Sequence, residues 1–169
     1  MVKLIYGKKN TGKSAYYENL ISNRNENKLY FATLWKDAET HQTILRHQKR
    51  RGSDWILLES VGNYSKDVEK LGEMIQFTSL PLSIMVDGLV NWCMFCSSQQ
   101  MNYLTTPELM AKNFSIALNG WSDVTWYLLD NTREDFSNVP AMLKMWDTFN
   151  MLLMNIITDI TVLPWNNNG

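Results

Sequence analysis

Gly7-Lys8-Lys9-Asn10-Thr11-Gly12-Lys13-Ser14 decides how the rest of the chain is read; it lies directly after Val2-Lys3-Leu4-Ile5-Tyr6 and directly before Ala15-Tyr16-Tyr17-Glu18-Asn19-Leu20-Ile21. The octapeptide fits G-x-x-x-x-G-K-[ST] with no mismatch. It falls between an apolar run that reads as a strand and a stretch that reads as a helix, which is where a phosphate-binding loop must sit. A tight turn without β-carbons lets successive backbone N–H groups converge on phosphate oxygens at the positive end of the helix that follows. Gly7 and Gly12 permit that turn, Lys8, Lys9, Asn10 and Thr11 supply its amides, Lys13 reaches the outer phosphates, and the Ser14 hydroxyl helps to hold Mg²⁺. The alternative is an ordinary glycine turn between a strand and a helix.

Composition narrows what can surround that loop. The chain has 169 residues and is 45% hydrophobic, so a single domain spanning residues 1–169 with a sizeable core is expected. The charges nearly cancel, 16 Lys+Arg against 17 Asp+Glu, and no whole-molecule field draws the protein to nucleic acid or anionic lipid. The apolar start is too short for a signal-peptide core, and no apolar run approaches the ~20 residues that span a bilayer. A soluble cytoplasmic protein is the expectation. The only cysteines, Cys93 and Cys96, form one C-x-x-C. With no second pair to complete four ligands, reduced and packed thiols are expected in place of a metal or redox site.

Outward from the loop the pattern alternates. Lys28 to Thr33 reads as a strand, with Asp37 capping a helix that runs to about Arg51. Trp55 to Glu59 reads as a strand, Ser65 to Phe77 as a helix, Leu82 to Val86 as a strand ending at Asp87, and Leu89 to Ser97 as a helix. After a looser stretch to about Thr105, Thr106-Pro107-Glu108 is a helix start, with a capping residue before a proline. Val124 to Leu129 is a strand ending at Asp130, Pro140 opens a Met-rich helix to about Ile157, and Ile160 to Leu163 is a short final strand before the polar tail Asn166 to Gly169. This spacing predicts an α/β fold of the P-loop NTPase kind, a mainly parallel central sheet with helices on both faces. Ligands of such sheets bind beyond the carboxyl ends of the strands. Gly7, Thr33, Glu59, Asp87 and Asp130 all fall at or just after strand ends and are expected to share one rim.

A second constellation lies in Thr40 to Arg51. Helical spacing puts Thr40, Ile44, His47 and Arg51 on one face, with His41 elsewhere. A nearby cation disfavours imidazolium and leaves a neutral ring able to act as a nucleophile near pH 7. Arg50 and Arg51 are able to clamp phosphate bidentately. The other reading is a solvated basic helix with an ordinary surface histidine. Asp87 likewise reads either as a metal-positioning carboxylate or as the cap of the next helix, and Glu59 as a site residue or a surface charge at a strand end.

Leu4-Ile5-Tyr6-Gly7 through Lys13-Ser14, then Leu29-Tyr30-Phe31-Ala32-Thr33, then His47-x-x-x-Arg51 with Trp55 four residues on and Glu59 closing the strand, resembles the adenosylcobinamide kinase / adenosylcobinamide-phosphate guanylyltransferase family of cobalamin biosynthesis. Asp87-Gly88-Leu89-Val90-Asn91-Trp92 is similar to the same family's acidic strand end and apolar helix. The likeness carries to about Phe95. Beyond it, Asn131-Thr132-Arg133-Glu134 and Pro140 stand where the family has an Asn-Glu turn with glycines before a proline; Asp147 fits, while Asn150 and Leu153 replace an expected glycine and asparagine.

The resemblance implies that His47 accepts GMP from GTP, releasing pyrophosphate, and passes it to a cobinamide phosphate, and that the same protein phosphorylates cobinamide with GTP or ATP. By position it implies that Phe31, Ala32, Thr33, Gln48, Lys49, Arg50, Arg51, Glu59 and Asp87 join the loop in holding nucleotide, that Ser14 and Asp87 hold Mg²⁺, and that His47 and Lys13 are catalytic. It also implies a homo-oligomer. Two other readings stay open: a nucleotide-binding module of the same fold with lost or altered catalysis, for which the departures from Asn131 to Leu153 speak, and a kinase for another small molecule in which His47 is incidental. Nucleic-acid binding is disfavoured by the charge balance and by the absence of a reader motif.

Overall fold

The structure, a computed structural model, describes residues 1–33, 38–99 and 106–163, the side chains at 38–41, 43, 44, 47 and 99 excepted. In chain order it contains β1 (Val2–Tyr6), α1 (Lys13–Ser22), β2 (Asn27–Ala32), α2 (Ala38–Arg51), β3 (Trp55–Glu59), α3 (Tyr64–Phe77) and β4 (Leu82–Asp87). There follow α4 (Leu89–Gln99), α5 (Pro107–Gly120), β5 (Thr125–Asp130), a 3-10 turn (Arg133–Phe136), α6 (Pro140–Leu153) and β6 (Asp159–Val162). Asp37, Thr105 and the tail Asn166 to Gly169, each given a reading from the sequence, lie outside the described residues.

Side-chain caps start two of the helices, α5 where the sequence signals it and α3 one residue before Ser65. Asn63 caps α3 by accepting from the Lys66 amide at 3.2 Å, and Thr106 caps α5 by accepting from the Leu109 amide at 3.2 Å, with Pro107 in the first turn. The Met-rich helix is shorter than its composition suggests, ending at Leu153 and not near Ile157. The chain must turn there, because the Thr158 amide already bonds the Val2 carbonyl at 2.8 Å to align β6 beside β1. The 3-10 turn at Arg133–Phe136 carries no apolar periodicity and is not signalled by the sequence.

All six strands are parallel, in the order β3-β2-β4-β5-β1-β6. From β1 to β2 to β3 the chain steps one way across the sheet; from β3 through β4 and β5 to β6 it steps the other way. Right-handed crossovers then oblige α1 and α2 to cover one face and α3 to α6 the other. The two cores follow this division. Ile5, Tyr30, Met85, Tyr127 and Leu129 pack with Tyr17 and Ile21 of α1 on one face. Leu4, Phe31, Ile84, Val86, Trp126 and Leu128 pack with residues of α3 to α6 on the other. Trp92 of α4 sits at the centre of the thicker core, edge-on to Phe31 and Phe114 at 5.2 and 5.0 Å, its indole N–H donating to the buried Asp67 carboxylate at 2.8 Å.

The same topology opens a crevice. Loops leaving β1 and β2 turn toward one face while those leaving the neighbouring strands β5 and β4 turn toward the other, so their carboxyl ends splay apart. Register puts the strand ends level: Tyr6 opposite Asp130, Asp87 opposite Leu129, and Ala32 opposite both Asp87 and Glu59. The rim expected from the sequence is therefore a physical edge.

Candidate functional site

The loop between β1 and α1 is shaped by its own atoms and by the end of β5. The Gly7 amide donates to the Asp130 carbonyl at 3.2 Å, and a β-carbon at Gly7 would lie 3.0 Å from the Thr11 hydroxyl oxygen and 3.3 Å from the Lys13 stem, so only glycine fits without a shift. Asn10 (φ 64°) and Gly12 (φ 78°) take the left-handed conformation that curls the amides inward. Gly12 caps α1 without a side-chain hydrogen bond, leaving the helix's first N–H groups for an anion. Outside the curl, the Lys9 amide donates to the Asp135 carboxylate at 3.1 Å, which also accepts from the Thr132 hydroxyl at 3.2 Å, so the 3-10 turn braces the loop.

Lys13 is buried, and its ammonium donates to Asn131 Oδ1 at 2.7 Å. Asn131 is held in turn: its amide bonds Asp130 Oδ1 at 2.8 Å and its carbonyl accepts from the Trp146 indole at 3.0 Å. Ser14 Oγ donates to Asp87 Oδ2 at 2.6 Å, the Tyr30 hydroxyl donates to the same oxygen at 3.2 Å, and the Thr33 hydroxyl donates to the Asp87 carbonyl. Burial, with the Asp87 charge beside it, holds the Tyr30 hydroxyl well above its ordinary range and keeps it a donor. Asp130 is buried, only 3% exposed. Burial pushes its carboxyl up to about 7, against the opposing pull of the Val90 and Asn131 amides and of Lys13.

Facing the loop stands the last part of α2. Arg50 Nε donates to Glu18 Oε2 at 3.0 Å and Arg51 Nη1 to Glu18 Oε1 at 3.1 Å, which ties α2 to α1 through a carboxylate only 2% exposed. The Arg51 guanidinium lies 3.6 Å from the centre of the Tyr30 ring. Between loop and helix is a cavity of about 650 Å³, whose walls include Lys9 to Ala15, Arg46, Arg50, Asp87, Gly88, Asn91, Asp130 and Asn131. This volume suits a ligand of nucleotide size.

The sequence-chosen residues separate by position. Lys9, Asn10, Thr11, Gly12, Lys13, Ser14, Arg50 and Asp87 line the cavity, and Gly7 anchors the loop behind it. Lys8, Gln48 and Lys49 are exposed. Thr33 is buried against Asp87, Arg51 is buried on Glu18, and the Phe31 ring lies in the core on the opposite face of the sheet. Ala32 and Glu59 are half-buried at the ends of β2 and β3. The side chain of His47 lies outside the described residues; its backbone belongs to α2, between the cavity-lining positions 46 and 50. Arg46, Asn91 and Asn131 also line the cavity, beyond the residues expected from the sequence. The rim argument that placed Asp130 reaches Asn131, one residue further on, and helical spacing from Arg50 reaches Arg46.

Cys93 and Cys96 are buried in α4 with no bond between them, and burial pushes the Cys96 thiol up to about 12. Among the described residues no three His, Cys, Asp or Glu side chains gather as a metal cage. The Ser14 hydroxyl and Asp87 carboxylate do form a pair of hard oxygen donors on the cavity wall. That pair fits Mg²⁺, which takes few protein ligands and completes its shell with water and phosphate oxygens.

Comparison with known proteins agrees with this architecture. No curated protein matches the sequence. Among solved structures, a type III secretion system ATPase of pathogenic bacteria superposes with a TM-score of 0.60 at 12% identity, over 96% of this chain and 51% of that one. EscN, the type III secretion ATPase of enteropathogenic E. coli solved with its central stalk EscO, superposes with a TM-score of 0.60 at 10% identity, over 97% of this chain and 42% of that one. At such identities the likeness shows the fold alone, and this chain spans about half or less of the length of those ATPases. Among the described residues no helix is long and apolar enough to cross a membrane. Residues 3–128 match the CobU family, described as cobinamide kinase / cobinamide phosphate guanyltransferase, a span that runs from β1 through the strand carrying Leu128, and the chain belongs to that family.

Proposed function

We propose that the protein is a nucleotide-dependent transferase that phosphorylates a cobinamide-type acceptor and transfers GMP from GTP to the resulting phosphate through a guanylyl-histidine at His47. One observation carries the reading: α2, the helix that contains His47, turns Arg46 and Arg50 onto the same cavity as the phosphate-binding loop. A loop alone would support any nucleotide-binding protein. A cationic helix facing it, one turn from a histidine, supports displacement at a phosphorus atom.

In this reading the loop amides and Lys13 hold the outer phosphates, with Lys13 moving from Asn131 to phosphate oxygen as nucleotide enters. Mg²⁺, held by Ser14 and Asp87, would supply charge neutralisation on the phosphate chain. A neutral imidazole nitrogen of His47 attacks the α-phosphorus; the bond from that phosphorus to the bridging oxygen breaks, and pyrophosphate leaves with the electron pair. A phosphate oxygen of the acceptor then attacks the same phosphorus and returns the imidazole. In the kinase reaction an acceptor hydroxyl attacks the γ-phosphorus, loses its proton, and nucleoside diphosphate leaves. Splitting the transfer lets two bulky phosphates use one site in turn.

The test is retention of label. Protein incubated with Mg²⁺ and GTP labelled at the α or the γ phosphate is expected to retain the α label only, in a linkage stable to alkali and lost in acid, and His47→Ala is expected to retain none. Retention that survives His47→Ala would remove His47 from the mechanism. Tight nucleotide binding without transfer, even with cobinamide and its phosphate supplied, would favour the binding-module reading.

A further inference from the structure

The cations at the end of α2 divide by what already holds them. Arg51 is 6% exposed, bonded to Glu18 and stacked on Tyr30. Arg50 lines the cavity but gives its Nε to the other oxygen of Glu18. Glu18 belongs to α1, the helix that begins at Lys13, so these two arginines fix α2 against the element that carries the phosphate-binding loop.

Arg46 is different. It stands four residues before Arg50, about 6 Å along the helix axis and on the same face. It lines the same cavity, it is exposed, and among the described residues it makes no hydrogen bond or ion pair. A guanidinium carried on a helix that two ion pairs hold in place, facing the phosphate loop, is a preorganised donor for phosphate oxygens. Such a group gives up only hydration and rotamer freedom on engaging them, because no intramolecular partner must be released. Lys13 and the loop amides would grip the phosphate chain from one side, and among the described residues Arg46 and Arg50 are the cations that α2 brings to the cavity.

We propose that Arg46 is a catalytic residue, contacting the phosphate chain of the bound nucleoside triphosphate from the side opposite the loop and offsetting the negative charge that gathers on the leaving pyrophosphate. The assignment rests on the transfer reading given above. As the bond from nitrogen to phosphorus forms and the bond to the bridging oxygen breaks, the electron pair passes to the pyrophosphate oxygen, where a bidentate cation is worth most.

The experiment measures two quantities in the wild type, Arg46→Ala, Arg46→Lys and the surface control Lys112→Ala: affinity for GTP and for guanosine, and the single-turnover rate of α-label uptake at saturating GTP with Mg²⁺. Arg46→Ala is expected to slow label uptake by about 100-fold or more and to weaken GTP binding about tenfold, leaving guanosine binding and the unfolding midpoint unchanged. Arg46→Lys, a point charge without the planar fork, is expected to recover only part of the rate, and Lys112→Ala is expected to match the wild type. Label uptake by Arg46→Ala at the wild-type rate would overturn the assignment. If the wild type binds GTP but takes up no label, the transfer reading fails by itself and the affinities decide Arg46: an unchanged GTP affinity in Arg46→Ala overturns it, and a loss that spares guanosine upholds the phosphate contact. A wild type that binds no triphosphate overturns both.

Discussion

Asp130 shows how far a single side chain can depart from what its type suggests. Both its oxygens accept backbone amides, from Asn131 at 2.8 Å and Val90 at 3.1 Å, which favours the charged form, yet enclosure outweighs them and the carboxyl is pushed up to about 7. Unfolded, it returns to the ordinary aspartate range near 4. Between about pH 4 and pH 7 the native state therefore holds a proton that the unfolded state has lost, and stability falls as pH rises through that window. Urea midpoints measured at pH 5 and pH 8 are expected to drop more in the wild type than in Asp130→Asn, which is isosteric with the protonated acid; equal drops would contradict the enclosure argument. The sequence placed Asp130 on the rim but gave no sign of its burial, because enclosure depends on α4 and the loop after β5 closing over it. The same holds for Arg51 and Phe31. Their chemistry was legible, but whether a side chain at a strand or helix end faces a cavity, a buried carboxylate or the core is settled by neighbours distant in the chain.

Elements were more legible than contacts. Apolar runs and the Thr106-Pro107 start gave most boundaries to within a few residues, since those signals are local, whereas the Asn63 cap of α3 was not read. The end of α6 and the 3-10 turn were not readable, because each is dictated by where β6 and the phosphate loop must be met. The joint between α1 and α2 also depends on distant pairing, and it yields a prediction. Glu18→Gln leaves Arg51 buried without its carboxylate, which costs about 3 kcal/mol or more, measured by equilibrium denaturation. Adding Arg51→Met is expected to restore part of that loss by removing the stranded charge. A negligible effect of Glu18→Gln would mean that the ion pairs do not fix α2, and would weaken the case for Arg46 as a preorganised group.

At the scale of the whole molecule, one reversal of chain direction across a parallel sheet explains why distant residues meet. It sends the loops after β1 and β2 to one side and those after β4 and β5 to the other, and the cavity lies between them. The parallel sheet, its covered faces and the shared rim of strand ends followed from the alternation of elements and from the motif at Gly7 to Ser14, whereas the strand order that makes the reversal did not. The stretch from Asn131 to Leu153, beyond the residues that match the family, is nonetheless built into the site: Asn131 holds Lys13, Asp135 braces the loop, and Asn150 accepts from the Tyr6 hydroxyl at the end of β1. No local pattern in the sequence announced those partners.

In the proposed reaction the loop and α2 act on one triphosphate from opposite sides. A crystal structure with Mg²⁺ and a GTP analogue that cannot be cleaved between the α and β phosphates tests it directly. The outer phosphates are expected in the curl of Gly7 to Ser14, with a His47 nitrogen about 3–3.5 Å from the α-phosphorus, in line with the bond that would break. A nucleotide seated in the loop with His47 turned away and the α-phosphorus out of its reach would contradict it.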